Sequence, residues 1–262
     1  MSNIHNNIII MINIKTIEKK IYSQHGEDGI INFLSDNLKE NSNYFVEIGC
    51  GDGMENNSRN LFLNNWSGLV CDNYENVNRY KNLLQKQIKQ EQFYSLSGLI
   101  DLDYINYLIN LIKNKDIAFL SLDIDSYDFF ILNELFKNKI YPKILCLEYN
   151  CFLTGTTSVK YSKNFDRRKH DKKYGLFFGC SLASYKALCE KYGYFFFTVD
   201  TSGTNAFFIL NNNFSDKIKN IFTIDFAYNE YYIKKYNLMA ENLEKYLLDN
   251  FDKELIDIKC FI

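Results

Sequence analysis

The sequence predicts an α/β chain: a doubly wound, Rossmann-like sheet, mostly parallel, with helices on both faces and an antiparallel hairpin at its C-terminal end. Three observations predict it. Apolar runs of strand length alternate with helical patterns as far as residue 150. A glycine-rich turn, "VEIGCGDG" (46–53), follows the first of those runs. Two late apolar runs, "YFFFTVD" and "NAFFIL", flank the short turn "TSGT". Near-continuous apolar strands alternating with helices imply a parallel sheet covered on both faces.

In chain order, "YFVEIGC" (44–50) is the first strand and "ENNSRNLFLNN" its helix. "SGLVCD" (67–72) is the second, followed by a helix through "NVNRYKNLLQKQIKQ". "FYSLSGLI" (93–100) is the third. The next helix shows one apolar face at Leu102, Ile105, Leu108, Ile109 and Ile112. "IAFLSLD" (117–123) is the fourth strand, with "YDFFILNELFKN" after it. The lone proline, Pro142, precedes the fifth strand, "KILCLEY". Residues 150–180 are polar, basic and aperiodic, and read as a loop. "LASYKALCEKYG" then reads as a helix stopped by Gly193, a C-cap glycine. The hairpin signals follow. Residues 226–262 form a helical tail, with "YNEYYIKKYNLMAENLEKYLLDNF" as one amphipathic helix for core packing or dimerisation. With no repeat and no flexible linker, residues 1–262 are expected to be one domain, residues 1–20 being an N-terminal extension.

Composition narrows the function classes. The net charge is −2 and the pI about 6.0, so no global basic field recruits nucleic acid or an anionic membrane. The seven cysteines are odd in number and form no CxxC pair; they are expected to be reduced core residues of a cytoplasmic protein rather than a zinc site. "NNIIIMINI" is too short to span a bilayer and has no basic flank or cleavage site, so it is expected to be an edge strand or a homodimer contact, with Met11 as an alternative start.

The glycine loop sits where a first strand turns into a first helix, a ligand site in doubly wound sheets. Two cofactor classes compete for it. A dinucleotide fingerprint needs G-x-G-x-x-G, but after Gly49 and Gly51 the third glycine position holds Met54. Glu47 and Asp52 flank the loop, and negative groups there repel a pyrophosphate. They suit S-adenosylmethionine (SAM), whose sulfonium and ammonium are positive. Asp72 ends the second strand, where a carboxylate can accept both ribose hydroxyls; Asn73 beside it and Asp101 after the third strand are further candidate cofactor contacts. The alternatives are an NAD-binding Rossmann protein, a catalytically idle SAM- or nucleotide-binding module, and a bare strand-to-helix turn.

Several segments resemble the FkbM-like family of SAM-dependent methyltransferases. They are "YSQHGEDGII" (22–31), "FVEIGCGDGMENNSRNLFLNNWSGLVCD" (45–72), "LSLDIDSYD" (120–128), "ILCLEYN" (144–150), "FFGCSLASYKALCEKYGY" (177–194) and "GTNAFFIL" (203–210), in that order. The resemblance implies a class I methyltransferase sheet. It also implies O-methylation of sugars and other small hydroxylated metabolites, in polysaccharide (capsule included) or natural-product pathways. It implies that "YSQHGEDG" wraps over the cofactor, with Gln24 and Glu27 near its methionine end, and that Asn57 and Arg59 recur in the first helix. Relatives carry D-G after the second strand where this chain has Asp72-Asn73. Residues 151–176 depart most, and the resemblance implies that 150–180 is a variable acceptor loop.

Asp123, Asp125 and Asp128 crowd the tip of the fourth strand. Crowded carboxylates repel one another unless a cation or hydrogen-bond donors stand among them. Asp123 and Asp125 share a face if the strand persists, and Glu148 and Asn150 hold the same places on the fifth strand. Three readings stand: a magnesium-type metal site using Asp125, Glu148 and Asn150 or Asp123; metal-free acid/base work on the acceptor hydroxyl by Asp123, Asp125 and Glu148; or structure alone. Asp128 is expected to cap the next helix. His170 is a candidate base against a solvated alternative, and His25 and His5 are the other histidines. Between Lys160 and Lys173, seven basic side chains face two acids, which suggests an anionic, phosphate-containing acceptor gripped by arginines.

Overall fold

The computed structural model describes residues 12–163, 165–221 and 224–262. The edge strand or dimer contact read from "NNIIIMINI", the Met11 start and His5 fall on or beside residues 1–11, outside the described residues. What is described of that run ends in a 3-10 turn, Ile14–Thr16, capped by the Asn13 side chain accepting the Lys15 N–H.

The helices are α1 (Glu27–Asp36), α2 (Arg59–Leu63), α3 (Tyr74–Leu84), α4 (Ile105–Ile112), α5 (Asp128–Lys137), α6 (Arg167–His170), α7 (Leu182–Lys191), α8 (Asp216–Lys219), α9 (Glu230–Tyr236) and α10 (Ala240–Phe251). The strands are β1 (Tyr44–Ile48), β2 (Ser67–Asp72), β3 (Phe93–Ser97), β4 (Phe119–Leu122), β5 (Ile144–Glu148), β6 (Thr157–Val159), β7 (Tyr194–Val199), β8 (Asn205–Leu210) and β9 (Leu255–Asp257). Seven strands form one sheet in the order β3-β2-β1-β4-β5-β8-β7. The first five run parallel; β8 is antiparallel to β5, and β7 to β8. This is the Rossmann-like methyltransferase arrangement, and its strand order reverses between β1 and β4, where doubly wound sheets leave a crevice.

Strand alternation sends side chains to two cores. Val46 and Ile48 of β1 join one core with α4, α5, α7 and α10, while Phe45 joins the other with α1, α2 and α3. Glu47, Ser121 and Cys146 pair across neighbouring strands in one row. Asn57 ties the row together, its amide donating to Ser121 (2.9 Å) and Cys146 Sγ (3.6 Å).

Two expectations fail. The tail is two helices rather than one: Asn237 takes the left-handed conformation (φ 48°) and ends α9, and α10 starts at Ala240. The segment after β5 is also less irregular than its composition suggests. It contains β6, paired antiparallel with β9, and the short α6. A three-residue strand carries too little periodicity to be read before its distant partner is known.

Gly49 links sheet and site. Its φ is +88°, and a Cβ there would fall 1.6 Å from the Asp123 carbonyl oxygen. Gly51 has φ +57° with nothing within 4 Å. Gly49→Ala is therefore expected to cost about 3 kcal/mol or more in urea unfolding, and Gly51→Ala about 1 kcal/mol. Equal losses would overturn this assignment of the β1–β4 contact to Gly49.

Candidate active site

A cavity of about 400 Å³ opens at the carboxyl edge of the sheet. Gly49 and Gly51 line it after β1, Cys71, Asp72, Asn73 and Asn76 after β2, Gly98, Leu99 and Ile100 after β3, and Asp123, Ile124 and Asp125 after β4. No lysine or arginine is among these lining residues. The Asp72 carboxylate organises one wall. It accepts the Gly51 N–H (2.8 Å), the Asn73 N–H (2.7 Å) and the Asn73 and Asn76 amides (2.9 and 2.8 Å). Asn76 was not foreseen; its place one helical turn after Asp72 is the signal that marks it.

The other expected cofactor residues divide. Glu47 is buried behind the loop rather than in the cavity; Oε1 accepts the Asn57 N–H (2.9 Å), Oε2 has no partner, and burial raises its pKa to about 8. Asp52 is not among the lining residues and accepts the Met54 N–H (3.1 Å). Asp101 does not line the cavity, because its carboxylate accepts the Asp103 and Tyr104 N–H groups (3.0 and 2.8 Å) at the start of α4. Gln24 is exposed and outside the lining. Glu27 is 1% exposed and turned toward β8, accepting from Asn205 (2.8 Å) and the His25 N–H (2.8 Å); burial raises its pKa to about 7. "YSQHGEDG" is instead tied down by Asp28, whose Oδ2 accepts the Ile21, Tyr22 and Ser23 N–H groups (2.8, 2.7 and 2.7 Å). Arg59 lies over the Tyr22 ring, 4.2 Å from its centroid.

At the tips of β4 and β5, Asp123, Asp125 and Glu148 bring carboxylate oxygens within 4.8 Å of one another. Burial drives the Asp123 and Glu148 carboxyls upward, Glu148 the further because the Asp123 charge stands beside it. Their mutual hydrogen bond and the nearby Arg167 restrain Asp123. The two carboxyls thus titrate as a pair, with the proton favoured on Glu148. The cation among the acids is Arg167 of α6. Nη1 donates to Asp125, Nη2 to the Tyr232 hydroxyl and Nε to the Gly175 carbonyl. The guanidinium lies 3.9 Å from the Phe178 ring centroid, and the side chain is 14% exposed.

Three expectations need correction. Asn150 is no metal ligand: its amide donates to the Leu176 and Phe178 carbonyls (2.7 and 3.0 Å) and Oδ1 accepts the Phe152 N–H (3.0 Å). His170 does not reach the cluster; Nδ1 bonds the Asp166 carbonyl (2.9 Å) and the ring stacks on Phe165 (4.9 Å). Asp128 is not the N-cap of α5 but its first residue, reaching back to the Ile124 and Ser126 N–H groups (2.8 and 3.0 Å) and so shaping the strand-tip loop. Burial raises its pKa to about 7.

Three of the seven basic side chains of the expected grip are spent on acids of the chain itself. Lys163 pairs with Asp103, Lys169 with Asp166 (3.1 Å), and Arg167 with Asp125.

No family profile matches the chain, and no curated protein sequence matches it. Solved structures do. A proposed O-methyltransferase of Nostoc punctiforme is 10% identical with a TM-score of 0.44, over 70% of this chain and 54% of its own. An O-methyltransferase family 2 protein of Planctomyces limnophilus is 12% identical with a TM-score of 0.41, over 68% and 56%. A TDP-rhamnose 3'-O-methyltransferase of calicheamicin biosynthesis is 12% identical with a TM-score of 0.36, over 47% and 61%. The matched regions are thus little more than half of those chains. Similarity this low carries no argument about activity, and the fold assignment rests on the strand order and directions described above.

Two outcomes test the electrostatics. Arg167→Met is expected to cost about 1–2 kcal/mol in thermal unfolding, with no rescue by Lys, whose single ammonium cannot serve three acceptors. Glu47 is neutral when folded and charged when unfolded between its ordinary value, near 4.5, and about 8. Its contribution to stability is therefore present at low pH and lost as pH rises through that window. The urea midpoint of Glu47→Gln, relative to wild type, is expected to be higher at pH 8 than at pH 5; an unchanged difference would contradict a neutral buried carboxyl.

Proposed function

We propose that this chain is a SAM-dependent O-methyltransferase acting on a hydroxyl of a small, anionic, saccharide-linked acceptor. One observation carries the cofactor reading: three aspartates and a glycine backbone line the crevice at the sheet's switch point, with no cationic side chain in that lining. A pyrophosphate would meet those carboxylates unscreened, whereas a sulfonium and an ammonium are attracted to them. Gly51, open on its Cβ side, lets a ligand approach the backbone. Asp72 Oδ2 takes one local donor, the Gly51 N–H, and keeps a lone pair for a ribose hydroxyl. Leu99 and Ile100 offer an apolar wall for a flat base. SAM supplies an electrophilic methyl group.

The chain's own residues handle the acceptor. Asp123, charged beside the crevice, takes the proton from the acceptor hydroxyl. Glu148 holds the neighbouring proton and keeps the pair at a single negative charge. Arg167 holds Asp125 and, through it, the tip of β4, so in this reading an arginine rather than magnesium stands among the acids. The resemblance of residues 22–31, 45–72 and 203–210 to the FkbM-like family supports the saccharide-linked hydroxyl.

Calorimetry is expected to show binding of SAM and its demethylated product but not of NAD, unaffected by EDTA. Asp72→Asn is expected to weaken SAM binding about tenfold with no loss of fold. Binding of NAD alone would end this reading.

A further inference from the structure

A second, larger cavity, about 750 Å³, lies on the same carboxyl edge beyond β5. Its walls come from the N-terminal segment (Lys15, Glu18, Lys19, Lys20, His25), the β7–β8 turn (Thr201, Ser202) and the segment before and into α9 (Phe226, Asn229, Tyr231). It contrasts with the cofactor crevice in sign. Of its acids, Glu18 is committed to Thr201, accepting from its N–H and its hydroxyl (2.7 Å each). Glu230 is paired with Lys234. Lys20 is shared with Glu55 (3.1 Å), and Lys15 lies near Glu230. Among the described residues, the Lys19 ammonium has no carboxylate partner.

The cavity also offers ring faces and hydroxyl partners. Phe226 is 45% and Tyr231 59% exposed. Thr201, Ser202, Asn229 and His25 bring polar groups to the same space. The cavity is wired to the reacting edge. Asn205 stands opposite Glu148 in the sheet register, and the Tyr149 N–H donates to the Thr204 carbonyl (3.0 Å). The Thr204 hydroxyl contacts His25 Nε2 (3.4 Å) and accepts from the Asn229 amide (3.1 Å). On α9, Tyr231 lines the cavity while its neighbour Tyr232 touches Arg167; their rings meet edge to face at 5.2 Å. Tyr231, Tyr232 and Arg167 thus link the cavity wall to Asp125 by successive contacts.

We propose that this cavity, through Lys19, Lys15 and His25, binds the phosphate of a phosphorylated, ring-containing acceptor. This deepens the methyltransferase reading and rests on it. It moves the grip on the anion from the basic run at 160–173, three of whose seven charges are paired with carboxylates, to the N-terminal segment. Lysines on a flexible stem suit a phosphate as point charges, and exposed rings suit the apolar face of a sugar or a base.

The test uses the full chain, with inorganic phosphate, glucose 1-phosphate, UDP-glucose and glucose as probes in calorimetry. Both phosphate esters, and inorganic phosphate more weakly, are expected to bind, and glucose is not. The double variant Lys15→Glu/Lys19→Glu is expected to lose about tenfold or more in affinity for them while binding SAM like wild type. Tyr231→Ala is expected to weaken glucose 1-phosphate but not inorganic phosphate. Preference between glucose 1-phosphate and UDP-glucose separates a free sugar phosphate from a nucleotide-linked one, either of which supports the site. Absence of phosphate binding, or affinity unchanged in a double variant that still binds SAM, overturns the proposal. Failure of wild type to bind SAM while phosphate binds overturns the cofactor reading instead and leaves the anion site standing.

Discussion

Carboxylates concentrated at the carboxyl edge of a parallel sheet set the terms for everything around them. Asp72, Asp123, Asp125, Asp128 and Glu148 converge there because the strands of a doubly wound sheet all end on one side. Such a set is tolerable only if charges are removed, donated to or countered. The chain uses all three routes. Glu148 keeps a proton, driven upward by burial beside Asp123. Asp72 and Asp128 are wrapped in backbone and amide donors. Asp125 is met by Arg167.

That last contact explains a substantial part of the later chain. Arg167 is held by Gly175, Tyr232 and the face of Phe178, so α6, the 175–178 segment and Tyr232 meet at the tip of β4. Asn150 serves the same closure by holding the 176–178 segment through two carbonyls. The result is a division of the edge by charge. A negative crevice lies over β1, β2 and β4, and a cavity with lysines and rings lies beyond β5. In the function proposed above, a cationic cofactor and an anionic acceptor are sorted by this division to different parts of the edge.

Much of the architecture was legible beforehand. β2 begins and ends where "SGLVCD" does, and β7 and β8 flank the expected turn. These elements announce themselves because their apolar runs are long and their turns carry glycine. The elements that escaped reading, β6, β9 and the break at Asn237, are short or depend on a distant partner. The site was legible to the same degree. Gly49, Gly51, Asp72, Asn73 and Asp123 line the crevice as their place at strand ends implied. Asp101, Asp52, Asn150 and His170 sit nearby in sequence terms yet spend their polar atoms on local backbone. A sequence lists what a side chain can do; it does not reveal which donor reaches it first.

By itself, the sequence determined the parallel sheet, the glycine turn and the acidity of the strand tips. Those follow from patterning and from residues adjacent along the chain, where neighbourhood is covalent. Only the tertiary structure decided which positive group stands among the acids of "DIDSYD". From the chain alone Arg167 is one of seven basic residues in a polar run. Its guanidinium meets Asp125, 42 positions earlier, only because α6 folds back over β4. Pairing across that separation is set by packing, and packing has no signature in the local run of residues.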